Sequence, residues 1–224
     1  MKLIFFIKII CCIFFTACSI GTSSKIYDTS LPNFKEQYKI NENIQKNDLI
    51  SINDLEIIKN YDYSNEFEHS VLKIRIDESI KLLKTNLQKQ IMNILKIKNY
   101  KINENNKIKI TINLNEKEVK KHSKLFSGDY ISSKLNLNID GDIIFIDKNN
   151  IEIKIKEKES LTKPLDIKYD IKNNSGSFYF KSTISATPTR INEDLQMVVL
   201  EIDQLFLSFY RDILNTIYTK IPNN

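Results

Sequence analysis

The chain has 224 residues, a formal net charge of +5 from 33 Lys and Arg against 28 Asp and Glu, and only three cysteines. That length suits one domain of ordinary size with additional segments. The mild basic excess, almost all lysine in an Ile-, Lys- and Asn-rich chain, reads as solvated surface rather than a nucleic-acid footprint.

Residues 1–17 read as a signal peptide. Lys2 gives a positive start, and LIFFIKIICCIFF is apolar apart from Lys8. Leu3 to Ala17 is too short to span a bilayer, which takes ~20 helical residues. The run shrinks to Thr16 and Ala17, meets Cys18 and turns polar, the pattern of a cleaved leader. FTAC resembles the lipobox of bacterial lipoproteins, with Phe15 in place of the usual Leu and Lys8 as a second departure. The resemblance implies that Cys18 is acylated and becomes the first mature residue. Cleavage removes Lys2, Lys8, Cys11 and Cys12, taking the charge to +3 and leaving no free thiol. The domain then has neither a disulfide nor a thiolate nucleophile. Each buried methylene of an acyl chain adds ~0.8 kcal/mol of membrane affinity, so several chains on one cysteine hold permanently.

Residues 18–47 are polar, weakly patterned and rich in turn formers, and read as a lipidated N-terminus with a tether. Residues 48–224 read as one domain. LISINDLEII (49–58) suits a strand, and YDYSNEFEHS a polar crossing. Ile76, Ile80, Leu83, Leu87, Ile91 and Ile94 recur in steps of three and four, predicting a helix from about 70 to 97 that ends before Asn99. Period two follows. Ile108, Ile110, Ile112 and Leu114 share one side of a strand, and Leu135, Leu137 and Ile139 one side of the next. A hairpin turns at Asp147–Asn150. Leu165, Ile167, Tyr169 and Ile171 line another strand, and SFYFKSTI (177–184) offers a short one. A closing helix starts after Asn192 as cap and buries Leu195, Val199, Ile202, Phe206, Phe209, Ile213 and Ile217, with Pro222 just beyond. The fold class expected is α+β: an antiparallel sheet packed against two long amphipathic helices in a two-layer sandwich.

Motifs for chemistry are sparse. HExxH, P-loop and GxSxG patterns are missing, and neither metal nor cofactor is expected. His69 beside Glu66 and Glu68 falls short of the four ligands of a structural zinc and reads as surface. The Phe206, Phe209 and Tyr210 cluster reads as helix packing. EKEVKKHSKLFSG (116–128) concentrates Lys117, Lys120, Lys121, His122 and Lys124 after the clearest strand. Such a cluster suits a carboxylate, a sialic acid or a phosphate, although a charge run in a lysine-rich chain is usually a solvated loop.

LQKQIMNILKIKNYKI (87–102) and KEVKKHSKLFS (117–127) resemble segments of the neuraminyllactose-binding haemagglutinin (HpaA-like) lipoprotein family. The order of lipobox, tether, helix, strands, basic stretch, strands and closing helix agrees with it. The YajG-like group of small outer-membrane lipoproteins has a similar order. The resemblance implies a non-enzymatic protein anchored in the bacterial outer membrane, at the cell surface or flagellar sheath. It further implies an adhesin for sialylated glycans, with Lys117, Lys121 and Ser123 as glycan-binding residues. Glu116 and His122 stand where that family's basic stretch carries lysines, and Glu118 adds a second nearby carboxylate. Lys117 and Lys121 share a face only if the strand alternates without interruption through both. The alternative is a structural or assembly lipoprotein that binds envelope or flagellar-sheath proteins.

Overall fold

A computed structural model describes residues 26–40, 55–102, 105–123, 129–147, 149–170 and 188–223. Cys18, the 177–184 strand, Ile171 and Lys124 lie outside the described residues. In chain order the elements are β1 (Ile26–Asp28), β2 (Leu55–Asp62), α1 (Asn65–Glu68) and α2 (Val71–Ile97). They continue with β3 (Lys107–His122), β4 (Tyr130–Ile146), β5 (Glu152–Ser160), β6 (Leu165–Asp170), β7 (Arg190–Asn192) and α3 (Gln196–Lys220).

The fold is α+β, and its sheet is mixed rather than antiparallel throughout. β2 runs parallel to β3, pairing Leu55 with Ile108 and Asp62 with Asn115. The remaining pairings, β3 with β4 and β4 with β5 and β6, are antiparallel. The correction has a simple cause. Helix α2 carries the chain from the end of β2 back to the start of β3, and a strand–helix–strand crossover makes its flanking strands parallel. β4 is long enough to hold β3 along one edge and β5, then β6, along the other. A separate ribbon joins β1 to β7, with Ile26 opposite Asn192.

Helix α2 matches its expected span. The Ser70 hydroxyl caps it by accepting from Lys73 N at 3.1 Å. At the far end Asn99 takes φ 48°, Asn99 N donates to Lys96 O and Tyr100 N donates to Leu95 O. That pair of bonds is a Schellman stop, with Asn in the left-handed position glycine usually fills. Helix α3 begins differently from the expectation. Asn192 is held in β7, the chain turns through a 3-10 segment (Glu193–Leu195), and the cap residue Leu195 makes no side-chain capping bond.

The inward residues of both helices and of β3 and β4 form one core. Every described position of the two helical stripes is at most 3 % exposed, and Ile110, Ile112, Leu135, Leu137 and Ile139 are fully buried. Gly141 lies where α3 packs closely on β4. A Cβ there would lie 2.6 Å from Ile213 Cδ1 and 3.1 Å from Phe209 Cζ. The hairpin turn is held by Asp147, whose carboxylate accepts from Asn149 N and Ile151 N at 2.7 Å each, while Asn150 takes φ 63°. Beside β2, Lys59 and Lys73 reach Asp77 at 2.7 and 2.5 Å. Burial opposes the Asp77 charge, but the two ammonium groups hold its carboxyl below its ordinary value.

Residues 26–40 differ most from the sequence reading, which places them in a tether. They run along α2 and α3 as an irregular strap. Gln90 Oε1 accepts from Gln37 N and Tyr38 N, and Asn93 Nδ2 donates to Tyr38 O. Phe34 is buried edge-on to Tyr210 at 5.1 Å, and Tyr38 stacks on Tyr218 at 4.8 Å. Arg75, 1 % exposed, fixes the start of the strap. Its guanidinium pairs with Asp203 of α3 at 2.6 Å and donates to the carbonyls of Thr29, Ser30 and Pro188. One buried cation thus joins both helices, the strap and the approach to β7. Its several donors suit it to that junction.

Candidate ligand-binding surface

The basic stretch falls on the second half of β3, and its geometry turns on a β-bulge. Lys117 pairs with Lys134 and Lys120 with Ser132, so three steps on β3 oppose two on β4. Glu118 takes φ 53° within that step. A bulge adds one residue to a strand and reverses its alternation from that point. Before it, Glu116 faces the core with Leu135, and Lys117 faces outward. After it, Lys120 and His122 take the outer face, and Lys121 lies opposite buried Ile131 on the helix side.

The three expected glycan-binding residues are therefore not brought together. Lys117 sits on the outer face across from Lys134, which pairs with Glu118 at 2.9 Å. Lys121 is on the opposite face in an ion pair with Glu66 of α1, and its hydrogen bond holds the Glu66 carboxyl below its usual value. Ser123 Oγ donates to Asp129 Oδ1 at 2.7 Å. The shared face that the alternation offers Lys117 and Lys121 does not form.

Glu116, which stands where the resembling family's basic stretch carries a lysine, is 7 % exposed. Its carboxylate accepts from Ser64 N at 2.9 Å, Ser133 Oγ at 2.6 Å and Tyr169 Oη at 2.6 Å. A buried carboxylate needs such donors. It anchors the N-terminal end of α1, whose Phe67 is fully buried edge-on to Tyr169. Burial, then the bond to Glu116, pushes the Tyr169 hydroxyl above its ordinary value. Glu116 is a structural residue.

On the outer face the bulge gathers a different set: Lys117, Lys120, Lys134 and His122. His122 stacks on Tyr130 at 4.6 Å and 10°, and its Nε2 lies 2.8 Å from Ser132 Oγ. From β6, Lys168 Nζ lies 4.8 Å from the centre of the Tyr130 ring while pairing with Asp194 at 3.1 Å. Flanked by β3 and β6 side chains, Tyr130 is already engaged and is no free stacking platform for a sugar ring.

The rest of the outer face is a polar plane. Asn60 donates to Asn113 at 2.9 Å, and Asn113 donates to Asn138 at 2.6 Å and Asp140 at 2.9 Å, a row of amides crossing β2, β3 and β4. A shallow groove of about 610 Å³ runs beside it, lined by Lys109, Thr111, Asp140, Asp142, Lys156 and Lys158. Lys158 pairs with Asp140 at 3.4 Å. Interspersed charges of both signs over an open groove suit contact with another polar surface.

Glu66, Glu68 and His69 do not form a joint site. Glu66 meets Lys121, Glu68 accepts from the Tyr63 hydroxyl, and His69 ends α1. Among the described residues no three His, Cys, Asp or Glu side chains converge as metal ligands, and no helix is long and apolar enough to cross a membrane. Comparison with family models and with curated proteins finds no match to this chain.

Proposed function

We propose that this chain is a non-enzymatic envelope lipoprotein, anchored in the bacterial outer membrane through Cys18, which binds protein partners with the polar outer face of its sheet. The register shift at Glu118 carries the choice between the two binding roles that the sequence offers. It sends Lys117 and Lys121 to opposite faces, with Lys121 already paired and Ser123 bonded to Asp129. A sialylated glycan gains little from cations so divided, since exposed ion pairs contribute only ~0–1 kcal/mol each. The outer face, by contrast, offers a row of hydrogen-bonded amides beside an open groove lined by charges of both signs. The order of elements supports a layout of the neuraminyllactose-binding haemagglutinin type, two long helices forming one layer and the sheet the other.

The test is calorimetric titration of sialyllactose into the purified protein at low salt, wild type beside Lys117→Ala/Lys121→Ala. The expected result is no saturable heat from either. Saturable binding by wild type that the double variant loses restores the adhesin role and removes the partner role.

A further inference from the structure

We propose that Met197 and Leu200, in the first turns of α3, rest in the headgroup region of the membrane that holds the lipid anchor. The domain then lies against the bilayer instead of swinging clear of it. The inference builds on acylation of Cys18.

The leash between anchor and domain is short. The sequence alone allots residues 18–47 to the tether, but residues 26–40 belong to the folded strap. Only residues 19–25 separate Cys18 from Ile26. Eight Cα–Cα steps reach at most about 28 Å even when fully extended. Ile26 is fixed by its pairing with Asn192, five residues before Met197. The chain enters the domain beside the start of α3, so that end is held within a short distance of the lipid.

That end also carries two exposed apolar side chains. Met197 is 65 % exposed and Leu200 48 %. Three residues apart, they are neighbours on one helix face, turned away from the buried stripe of Leu195, Val198, Val199 and Ile202. Two such side chains bind a membrane weakly by themselves. Tethering raises the local concentration of the surface enough for a weak contact to persist.

Nearby charges select the lipid. Glu193 and Asp194 form the preceding turn, Glu201 follows, and the described basic residues Lys168 and Arg190 pair with Asp194 and Asp28. This slightly acidic rim favours a zwitterionic surface over an anionic one.

The experiment uses the mature acylated protein bound to vesicles of phosphatidylethanolamine and phosphatidylcholine. Met197→Cys, Leu200→Cys and, as a distant exposed reference, Ile151→Cys are each labelled with an environment-sensitive fluorophore. Flotation reports the anchor, and quenching by headgroup-proximal spin-labelled lipid reports the contact. The expected result is blue-shifted, quenched emission at 197 and 200, with solvent-like emission at 151. Solvent-like emission at all three positions in protein that floats overturns the contact while leaving the anchor intact. Protein that neither floats nor carries an acyl chain overturns the anchor, and the contact with it.

Discussion

Replacing Arg75 with Met is expected to lower the free energy of unfolding by about 3–5 kcal/mol, the usual result of removing one partner from a buried ion pair. The Arg75 guanidinium is 1 % exposed and lies 2.6 Å from Asp203, so the change leaves a carboxylate in a largely desolvated site. It also leaves the carbonyls of Thr29, Ser30 and Pro188 without their donor. Two losses are therefore combined, and the double variant Arg75→Met/Asp203→Leu separates them. Removing the stranded carboxylate restores part of the stability, and the loss of the strap contacts remains. Chemical denaturation measures both, and limited proteolysis between residues 26 and 40 reports release of the strap. Equal stabilities for wild type and Arg75→Met contradict the junction role.

Phe209→Ala is expected to cost a similar ~3–5 kcal/mol through a different mechanism, the cavity left by a fully buried ring. That ring rests against the backbone of Gly141, which has no side chain in its way. Gly141→Val alone overpacks the same place, at ~1–3 kcal/mol. The two changes offset each other in volume, so the double variant should be less destabilised than the sum of the singles. Strict additivity means that Phe209 and the side chain added at 141 do not share this space, leaving Ile213 as its neighbour on α3. A Phe209→Ala protein with an unmoved melting transition means that the α3 stripe faces away from the sheet.

The sequence made the helices legible because periodicity records a buried stripe directly. Each position expected on α2 and α3, from Ile76 to Ile94 and from Leu195 to Ile217, is buried. The hairpin was also legible, since Asp147 and Asn150 are suited to the bonds and the positive φ that close it. Strand direction was missed, although the succession of β2, a 27-residue helix and β3 carried the signal of a parallel crossover. The strap was illegible for a different reason. Phe34 and Tyr38 pack without regular secondary structure, and a segment with no period presents none to read.

The site was the least legible part. Nothing in NEKEVKKH marks a bulge, because Glu118 holds the positive φ without a Gly or Asn at that position. One inserted residue was enough to separate Lys117 from Lys121. Glu116 looked solvated because its partners Ser64, Ser133 and Tyr169 lie 52, 17 and 53 residues away. Arg75 could have been noticed as a charge within the helical pattern, one residue before Ile76, though its partner is 128 residues distant.

The envelope role depends above all on the anchor, and metabolic labelling with a fatty acid tests it most directly. Wild-type protein should incorporate the label and migrate as the processed form, while Cys18→Ala accumulates as an unlabelled precursor still carrying residues 1–17. Label on the Cys18→Ala protein, or a wild type that remains unlabelled, contradicts the account.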